Sequence, residues 1–295
     1  MLANCVPIEE GDVLGIDVGW SETQKTSAVC RLSWSKDCIT WKVSRFCAKD
    51  DDRCKTIYDV AGTNLLYAVA IDGPLRRGFD LIKRYRSAER VLSRGDLLKR
   101  IGKPGQSSSP NGEKLNIQAN RAALTVKSLC HVQHAIPDKP PAIDEYAIVE
   151  AFPTTFLGVM VGCPERMSTG KRSDRYFAHL DGYKRPDGGL TQLIECLLGP
   201  KKWEKHIHSL TDHDDRAAFV CAITALCIAR GEYTAVGDCE DGWIILPPKR
   251  EFAVLAWEAI LANLNREKGH GCSQCSLVSY RDNQANSIVG ADRIT

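Results

Sequence analysis

Apolar and polar positions divide the first quarter of the chain into strands and one helix. Residues 12–18 form an almost continuous apolar run typical of a buried strand. Residues 27–34 and 38–46 alternate in part and are joined by a short polar link, which predicts a hairpin. A helix at about 53–65 and a second buried strand at 66–71 follow. Three antiparallel strands are therefore expected to open the fold.

Farther along the chain, helical periodicity alternates with short apolar runs. Strands are predicted at 145–149 and 242–246. This order predicts an α/β protein with one mixed sheet, three antiparallel strands followed by parallel strands, flanked by helices. The predicted helices cover residues 79–94, 113–134, 153–161, 171–180, 190–198, 212–230 and 249–265.

The chain is long enough for one large domain or two modest ones, at 295 residues. We predict a single domain over residues 1–265, with helical insertions at about 76–135 and 160–210. Residues 102–112 are rich in Gly, Ser and Pro and predict a flexible loop. The polar residues 266–295 are expected to form a loosely ordered tail.

Composition excludes several classes of protein. Hydrophobic residues make up 43% and charged residues 26%, and the net charge is only +2, so no global attraction to nucleic acid or membranes is expected. No apolar stretch is long enough to span a membrane, and the first residues do not resemble a secretory signal. The thirteen cysteines, an odd number, favour reduced thiols. A cytoplasmic protein without a membrane partner is therefore expected.

Three carboxylates share one sequence context. Asp17, Asp72 and Glu150 each follow an apolar strand. In open α/β sheets ligands gather beyond the carboxyl ends of the strands, so these groups are expected to converge. Without a partner they would repel one another and raise each other's pKa, and a divalent cation removes that conflict. Oxygen ligands favour Mg²⁺ or Mn²⁺.

A fourth acidic group opens the predicted helix at 212–230. Asp212 is a candidate N-cap, and Asp214 and Asp215 are then first-turn residues that favour the helix dipole. The alternative is that Asp214 or Asp215 completes the metal cluster. Four carboxylates would suffice for two metal ions about 4 Å apart that clamp a phosphodiester.

Four short segments around these acidic residues occur in order along the chain, at 15–20, 70–75, 150–154 and 214–222. Together they resemble a family of predicted nucleases with an RNase H-like fold. The resemblance runs from about residue 12 to residue 246 and implies metal-binding roles for Asp17, Asp72, Glu150 and one aspartate of the 214–215 pair. The family often has a second aspartate just before the position of Ala218, where this chain has Ala217. It also often has a lysine at the position of Lys171, so Lys171 is expected to contact phosphate.

A locally basic segment follows Asp72. Residues 76–103 carry ten positive and three negative side chains, a net charge of +7 in a chain whose total is +2. Such a segment beside a carboxylate cluster is suited to bind phosphates, and Arg76, Arg77 and Arg86 are the candidate contacts. The alternative is a solvated helix face, on which Arg86 pairs with Glu89 at i,i+3.

These features favour metal-dependent hydrolysis of phosphodiesters in nucleic acid, DNA or RNA, by a two-metal mechanism. Residues 17–21 also resemble the first phosphate loop of actin-like kinases and ATPases, although Pro74 stiffens the second candidate loop and removes a donor. Ala217 gives weight to a third possibility, a catalytically weak module that binds nucleic acid on the same fold.

Overall fold

A mixed β-sheet with helices on both faces organises the chain. The computed structural model describes residues 9–102, 107–136, 139–164, 167, 171–181, 189–269, 275–280 and 287–289. The strands in these ranges are β1 Gly11–Asp17, β2 Ser27–Trp34, β3 Cys38–Phe46, β4 Leu66–Asp72, β5 Ile148–Ala151, β6 Lys202–Trp203, β7 Tyr233–Asp238, β8 Gly242–Leu246, β9 Ser276–Tyr280 and β10 Ser287–Val289.

The strand order is β10-β9-β7-β8-β5-β4-β1-β2-β3-β6. Strands β1, β2 and β3 form an antiparallel meander, and β4, β5 and β8 continue from β1 in parallel. Strands β7, β9 and β10 extend that side of the sheet with antiparallel pairs. The predicted fold class is confirmed: this is an α/β protein whose sheet is consistent with RNase H-like topology.

Most predicted helices are present within a few residues of their expected ends. The region 79–94 is the exception, because Gly78 and Phe79 both adopt left-handed backbone conformations and an irregular segment follows. Among the helices that the structure describes, none combines the length and apolar character needed to cross a membrane. They are α1 Asp50–Ala61, α2 Ser87–Leu92, α3 Gly95–Ile101, α4 Pro110–Leu129, α5 Pro153–Met160, α6 Arg172–Asp181, α7 Leu190–Leu198, α8 His213–Ala229 and α9 Val254–Gly269.

Helix α8 packs directly on β1. A Cβ atom at Gly15 would lie only 2.0 Å from the backbone nitrogen of Ala222 and 2.2 Å from the carbonyl oxygen of Ala218, so only glycine permits this approach. Residues 217–227 of the helix are all buried. This contact fixes the N-terminal end of α8 beside the end of β1.

The opposite face of the sheet is covered by other helices. A Cβ atom at Gly73 would meet the Cβ of Ala119 in α4 at 2.8 Å, so α4 lies over the loop that follows β4. A second apolar cluster joins Ile244 in β8 to residues of α2 and α9. Side chains alternate between these two faces along every strand.

The predicted tail is partly wrong. Helix α9 continues to Gly269, and Ser276–Tyr280 is a strand that pairs with β7. Leu277 and Val278 are buried, which explains why a mostly polar stretch is held in the sheet. Residues 270–274, 281–286 and 290–295 of the predicted tail, and residues 103–106 of the predicted flexible loop, lie outside the described residues.

Candidate active site

Two of the predicted ligands end neighbouring parallel strands. Asp17 is the last residue of β1, Asp72 is the last residue of β4, and the two are register partners. Register partners in a parallel pair point to the same face, so the two carboxyl groups lie side by side. That face is the one covered by α8, and both side chains keep part of their surface accessible to solvent.

The pKa of each of these two carboxyl groups is raised. For Asp17 the first cause is burial, followed by the charges of Asp72 and Asp214, and the charge of Lys171 acts in the opposite direction. Burial, together with the charge of Glu150, raises the pKa of Asp72 to about 7, and a hydrogen bond with Asp17 acts against that rise. A raised pKa favours the protonated form of both carboxyl groups, and a cation bound beside them would favour the ionised form.

Asp214 is the third member of this group. It lies in the first turn of α8, and its backbone nitrogen donates to the side chain of the N-cap residue Asp212 at 3.0 Å. Its charge contributes to the raised pKa of Asp17, after burial and the charge of Asp72. Lys171, the residue before α6, carries a charge that lowers the pKa of the same carboxyl group, and its contact with phosphate stays a prediction.

Asp215 does not belong to this group. Its carboxylate accepts a hydrogen bond from Nε of Arg45 at 2.8 Å, and the same guanidinium contacts Asp212. Arg45 lies on β3, far from α8 in sequence, so no local pattern showed this partner. Between the two predicted alternatives, Asp214 is the aspartate that faces the strand ends.

The prediction that Glu150 joins Asp17 and Asp72 is wrong. Strand β5 continues to Ala151, so Glu150 is a register partner of Ile71, and Asp72 pairs with Ala151. Because side chains alternate, this one-residue offset turns Glu150 toward the face opposite the two aspartates.

An arginine occupies both oxygens of the Glu150 carboxylate. Nη1 of Arg86 donates to Oε2 at 2.6 Å, Nη2 donates to Oε1 at 2.7 Å, and the backbone nitrogen of Leu75 donates to Oε2 at 2.8 Å. Burial raises the pKa of Glu150, and the Arg86 charge acts against that rise. Glu150 is therefore a structural anchor for the loop after Asp72 and is not available to a metal ion.

Arg86 is likewise not a surface contact for substrate. Its side chain is 1% exposed, and it pairs with Glu89 at 3.4 Å as well as with Glu150. It also donates to the carbonyl oxygens of Leu75 and Asp241, both at 3.3 Å. The predicted i,i+3 pair of Arg86 and Glu89 is present, but the solvated helix face expected with it is wrong, because both side chains are buried at the start of α2.

Most other charges of the basic segment are also neutralised within the protein. The partners come mainly from distant parts of the chain, so the predicted phosphate-binding surface is much smaller than the net charge suggests. Arg77 and Lys83 are exposed and have no acidic partner within 4.0 Å among the described residues; Lys103 lies outside them. The pairs are Arg76 with Asp80, Arg84 with Glu240 and Asp241, Arg90 and Arg94 with Glu267, Lys99 with Asp96, and Arg100 with the carbonyls of Val161 and Gly162.

The remaining carboxylates fit a hard divalent cation. Within the described ranges, no group of three or more His, Cys, Asp or Glu side chains has a ready metal-binding arrangement. Mg²⁺ is commonly held by one or two carboxylates, with waters and substrate phosphates as its other ligands. Asp17 and Asp72 end adjacent strands and have no arginine partner among the described residues, so they are the two carboxylates that could hold such a cation.

No protein-family model matches this sequence, and no curated protein or solved structure matches it either. The assignment of a function therefore depends on the residues themselves. One residue that the sequence motifs contained but did not assign is Trp20, which lies three positions after Asp17 and is exposed.

Proposed function

We propose that this chain is a metal-dependent phosphodiesterase that acts on nucleic acid, a nuclease on an RNase H-like sheet. The observation that carries the proposal is the pair Asp17 and Asp72, two carboxyl groups at register partners of adjacent strands, with no arginine partner among the described residues and with raised pKa values. Every other predicted acidic ligand except Asp214 is neutralised by an arginine. At this edge of the sheet, no arginine balances the negative charge of the ionised Asp17–Asp72 pair, so an external cation would stabilise it.

The residues around the pair suit phosphodiester hydrolysis. Asp17 and Asp72 would hold Mg²⁺ or Mn²⁺, which supplies a polarised phosphate oxygen and a more acidic water when bound. Asp214 faces Asp17 from the start of α8, where its carboxylate is placed to accept a proton from water. Lys171 contributes a positive charge on the other side, suited to a substrate phosphate.

The proposed site has fewer ligands than a two-metal site needs. Glu150 and Asp215 are left out of the five predicted metal ligands, because Glu150 forms an ion pair with Arg86 and Asp215 forms one with Arg45. Asp17, Asp72 and Asp214 remain, but within the described residues they do not form a ready metal-binding group of three, so one cation held by Asp17 and Asp72 is favoured over two.

The loop contacts weaken the ATPase alternative. A phosphate loop needs free backbone N–H groups. The Gly19 N–H donates to Ser27 Oγ at 2.9 Å, and the Leu75 N–H donates to Glu150. Pro74 has no N–H to offer.

A cleavage assay tests the proposal. End-labelled single-stranded, duplex, hybrid and branched DNA and RNA are incubated with the protein in Mg²⁺, in Mn²⁺ and in EDTA. Cleavage is expected only with a divalent cation and is expected to be lost in both Asp17→Asn and Asp72→Asn. Asp215→Asn is the matched control, because it removes an aspartate of the same helix turn that is paired with Arg45.

The outcomes separate the nuclease from the binding module. Cleavage that persists in Asp17→Asn at the rate of the unmodified protein would refute the assigned site. Tight binding of nucleic acid without cleavage in either metal would favour the catalytically weak module that Ala217 suggests.

A further inference from the structure

Trp20 is unusually exposed for a tryptophan of this chain. Its side chain is 45% exposed, whereas the other five tryptophans are buried or half-buried. It lies in the loop after β1, three positions beyond Asp17. A large aromatic surface in the loop that follows Asp17 therefore faces solvent.

The backbone that presents Trp20 is anchored. The N–H of the preceding Gly19 donates to Ser27 Oγ at 2.9 Å, at the start of β2. The side chain of Val18, one residue earlier, is buried. The indole therefore projects from a fixed position rather than from a long free loop.

A lysine lies beside the exposed indole. Nζ of Lys114 is 5.9 Å from the centre of the Trp20 ring, within range of a cation–π interaction. Lys114 is exposed, and no acidic side chain in the described part of the chain lies within ion-pair distance of it. Its charge remains available to an anion.

The Trp20–Lys114 pair is close to the loops that carry both aspartates. Lys114 belongs to the first turns of α4, whose N-cap Ser109 accepts from Gly112 at 3.1 Å. A Cβ atom at Gly73, directly after Asp72, would lie 3.3 Å from both the carbonyl of Leu115 and the side chain of Val18. The two loops and α4 thus meet at this edge of the sheet, on the face opposite α8, and Trp20 and Lys114 are both exposed.

We propose that Trp20 and Lys114 form a stacking site for an unpaired nucleobase and its phosphate, so that the substrate is single-stranded nucleic acid. This inference rests on the proposed function and names its substrate class. An exposed indole can stack on any base face, and a neighbouring ammonium pairs with the backbone phosphate. Bases inside a duplex are already stacked on each other and cannot use the site without being unpaired.

The test is a binding measurement that does not depend on cleavage. Fluorescence anisotropy of labelled oligonucleotides is recorded in EDTA at several salt concentrations, with single strands and with duplexes of the same sequence. Trp20→Ala is expected to weaken single-strand binding about 5- to 150-fold, and Trp20→Phe to retain most of it. Lys114→Ala is expected to lower affinity and to reduce the salt slope by roughly one.

Two matched controls exist in the chain. Tyr58 is 47% exposed on α1, so Tyr58→Ala removes an equally exposed aromatic ring elsewhere on the surface. Lys249 has its Nζ 4.7 Å from the ring centre of Trp257, so Lys249→Ala removes the same charge from a similar pair. Both controls are expected to bind single strands like the unmodified protein.

The outcomes distinguish this inference from the proposed function. If Trp20→Ala binds single strands as tightly as the unmodified protein, or if duplex binding falls by the same factor, the stacking site is refuted even where cleavage requires Asp17. If single-strand binding falls in Trp20→Ala but no metal supports cleavage, the stacking site is supported and the enzymatic proposal fails. If the protein binds no nucleic acid, and the Trp20–Lys114 surface binds another protein instead, the inference is overturned.

Discussion

Two groups of acids lie at the same edge of the sheet on opposite faces, and they are neutralised differently. On one face Glu150 is enclosed by Arg86, Leu75 and the loop after β4. On the other face Asp17 and Asp72 lie side by side on adjacent strands, have no arginine partner among the described residues, and have raised pKa values. The first carboxylate is satisfied within the chain, whereas the second pair needs a proton or an external cation.

This difference teaches how to interpret acids at strand ends. A carboxylate at the end of an apolar strand indicates a buried charge but does not say what balances it. An internal arginine makes the charge structural, and its absence leaves the charge for a ligand. The predictions below test this division, beginning with the largest expected effect.

Breaking the Glu150–Arg86 pair should be the most damaging change. Arg86→Met leaves both Glu150 and Glu89 buried without their arginine and is expected to lower the free energy of unfolding by about 3–5 kcal/mol, whereas Glu150→Leu leaves Arg86 paired with Glu89 and should cost less. The double variant is expected to recover only part of the Arg86→Met loss, because Glu89 stays buried without its arginine. Urea denaturation measures all three. Single variants as stable as the unmodified protein would show that the pair is not a structural anchor.

The Asp17–Asp72 pair should make the free energy of unfolding fall as the pH rises. A carboxylate paired with an arginine gives the opposite dependence on pH. The folded-state pKa of Asp72, about 7, lies above its ordinary value of 3.8, so the folded state holds a proton that the unfolded state has lost. Its contribution to stability is complete below about pH 4 and is lost as the pH rises through about 7. Urea midpoints measured in EDTA between pH 4 and 8 are expected to fall, and Asp72→Asn should fall less. An equal fall in both proteins would contradict the proposed cause.

A divalent cation bound by Asp17 and Asp72 should replace the proton that their raised pKa values favour. At pH 8, Mn²⁺ at ten times its dissociation constant is expected to stabilise the folded state by about 1.4 kcal/mol, provided that only the folded state binds it. Thermal unfolding with and without Mn²⁺ measures the shift, and Asp17→Asn should abolish it. A shift of the same size in Asp17→Asn would assign the cation to another site.

Asp214 and Asp215 should differ although they are neighbours. Asp215→Asn removes a partly exposed ion pair with Arg45 and should cost about 0.2–1 kcal/mol of stability, without changing Mn²⁺ affinity. Asp214→Asn removes a charge that acts on Asp17 and should weaken Mn²⁺ binding. Isothermal titration of both variants compares them directly, and equal affinities would remove Asp214 from the site.

The sequence was sufficient to predict the strands that deliver Asp17 and Asp72, because continuous apolar runs ending in Asp are strong local signals. The sequence was not sufficient to predict on which face of the sheet the Glu150 side chain lies. The β5 strand extends two residues beyond its predicted end, and the face of a side chain depends on single-residue register. Register between strands is a property of the folded sheet rather than of any local segment.

The basic segment was misjudged for a related reason. Its ion-pair partners are distant along the chain, as with Arg84 and Asp241 or Arg90 and Glu267. A local charge count cannot include such partners. By contrast, the i,i+3 pair of Arg86 and Glu89 was visible in the sequence because helical spacing is local.

The most direct test of the aspartate pair is anomalous diffraction from crystals soaked in Mn²⁺ at about pH 8. We expect a manganese peak bridging the carboxylates of Asp17 and Asp72, on the side of Asp214, with the Glu150–Arg86 pair intact. A peak at Glu150 with Arg86 displaced, or Asp17 and Asp72 still in mutual contact with no peak beside them, would contradict the division between the two acid groups.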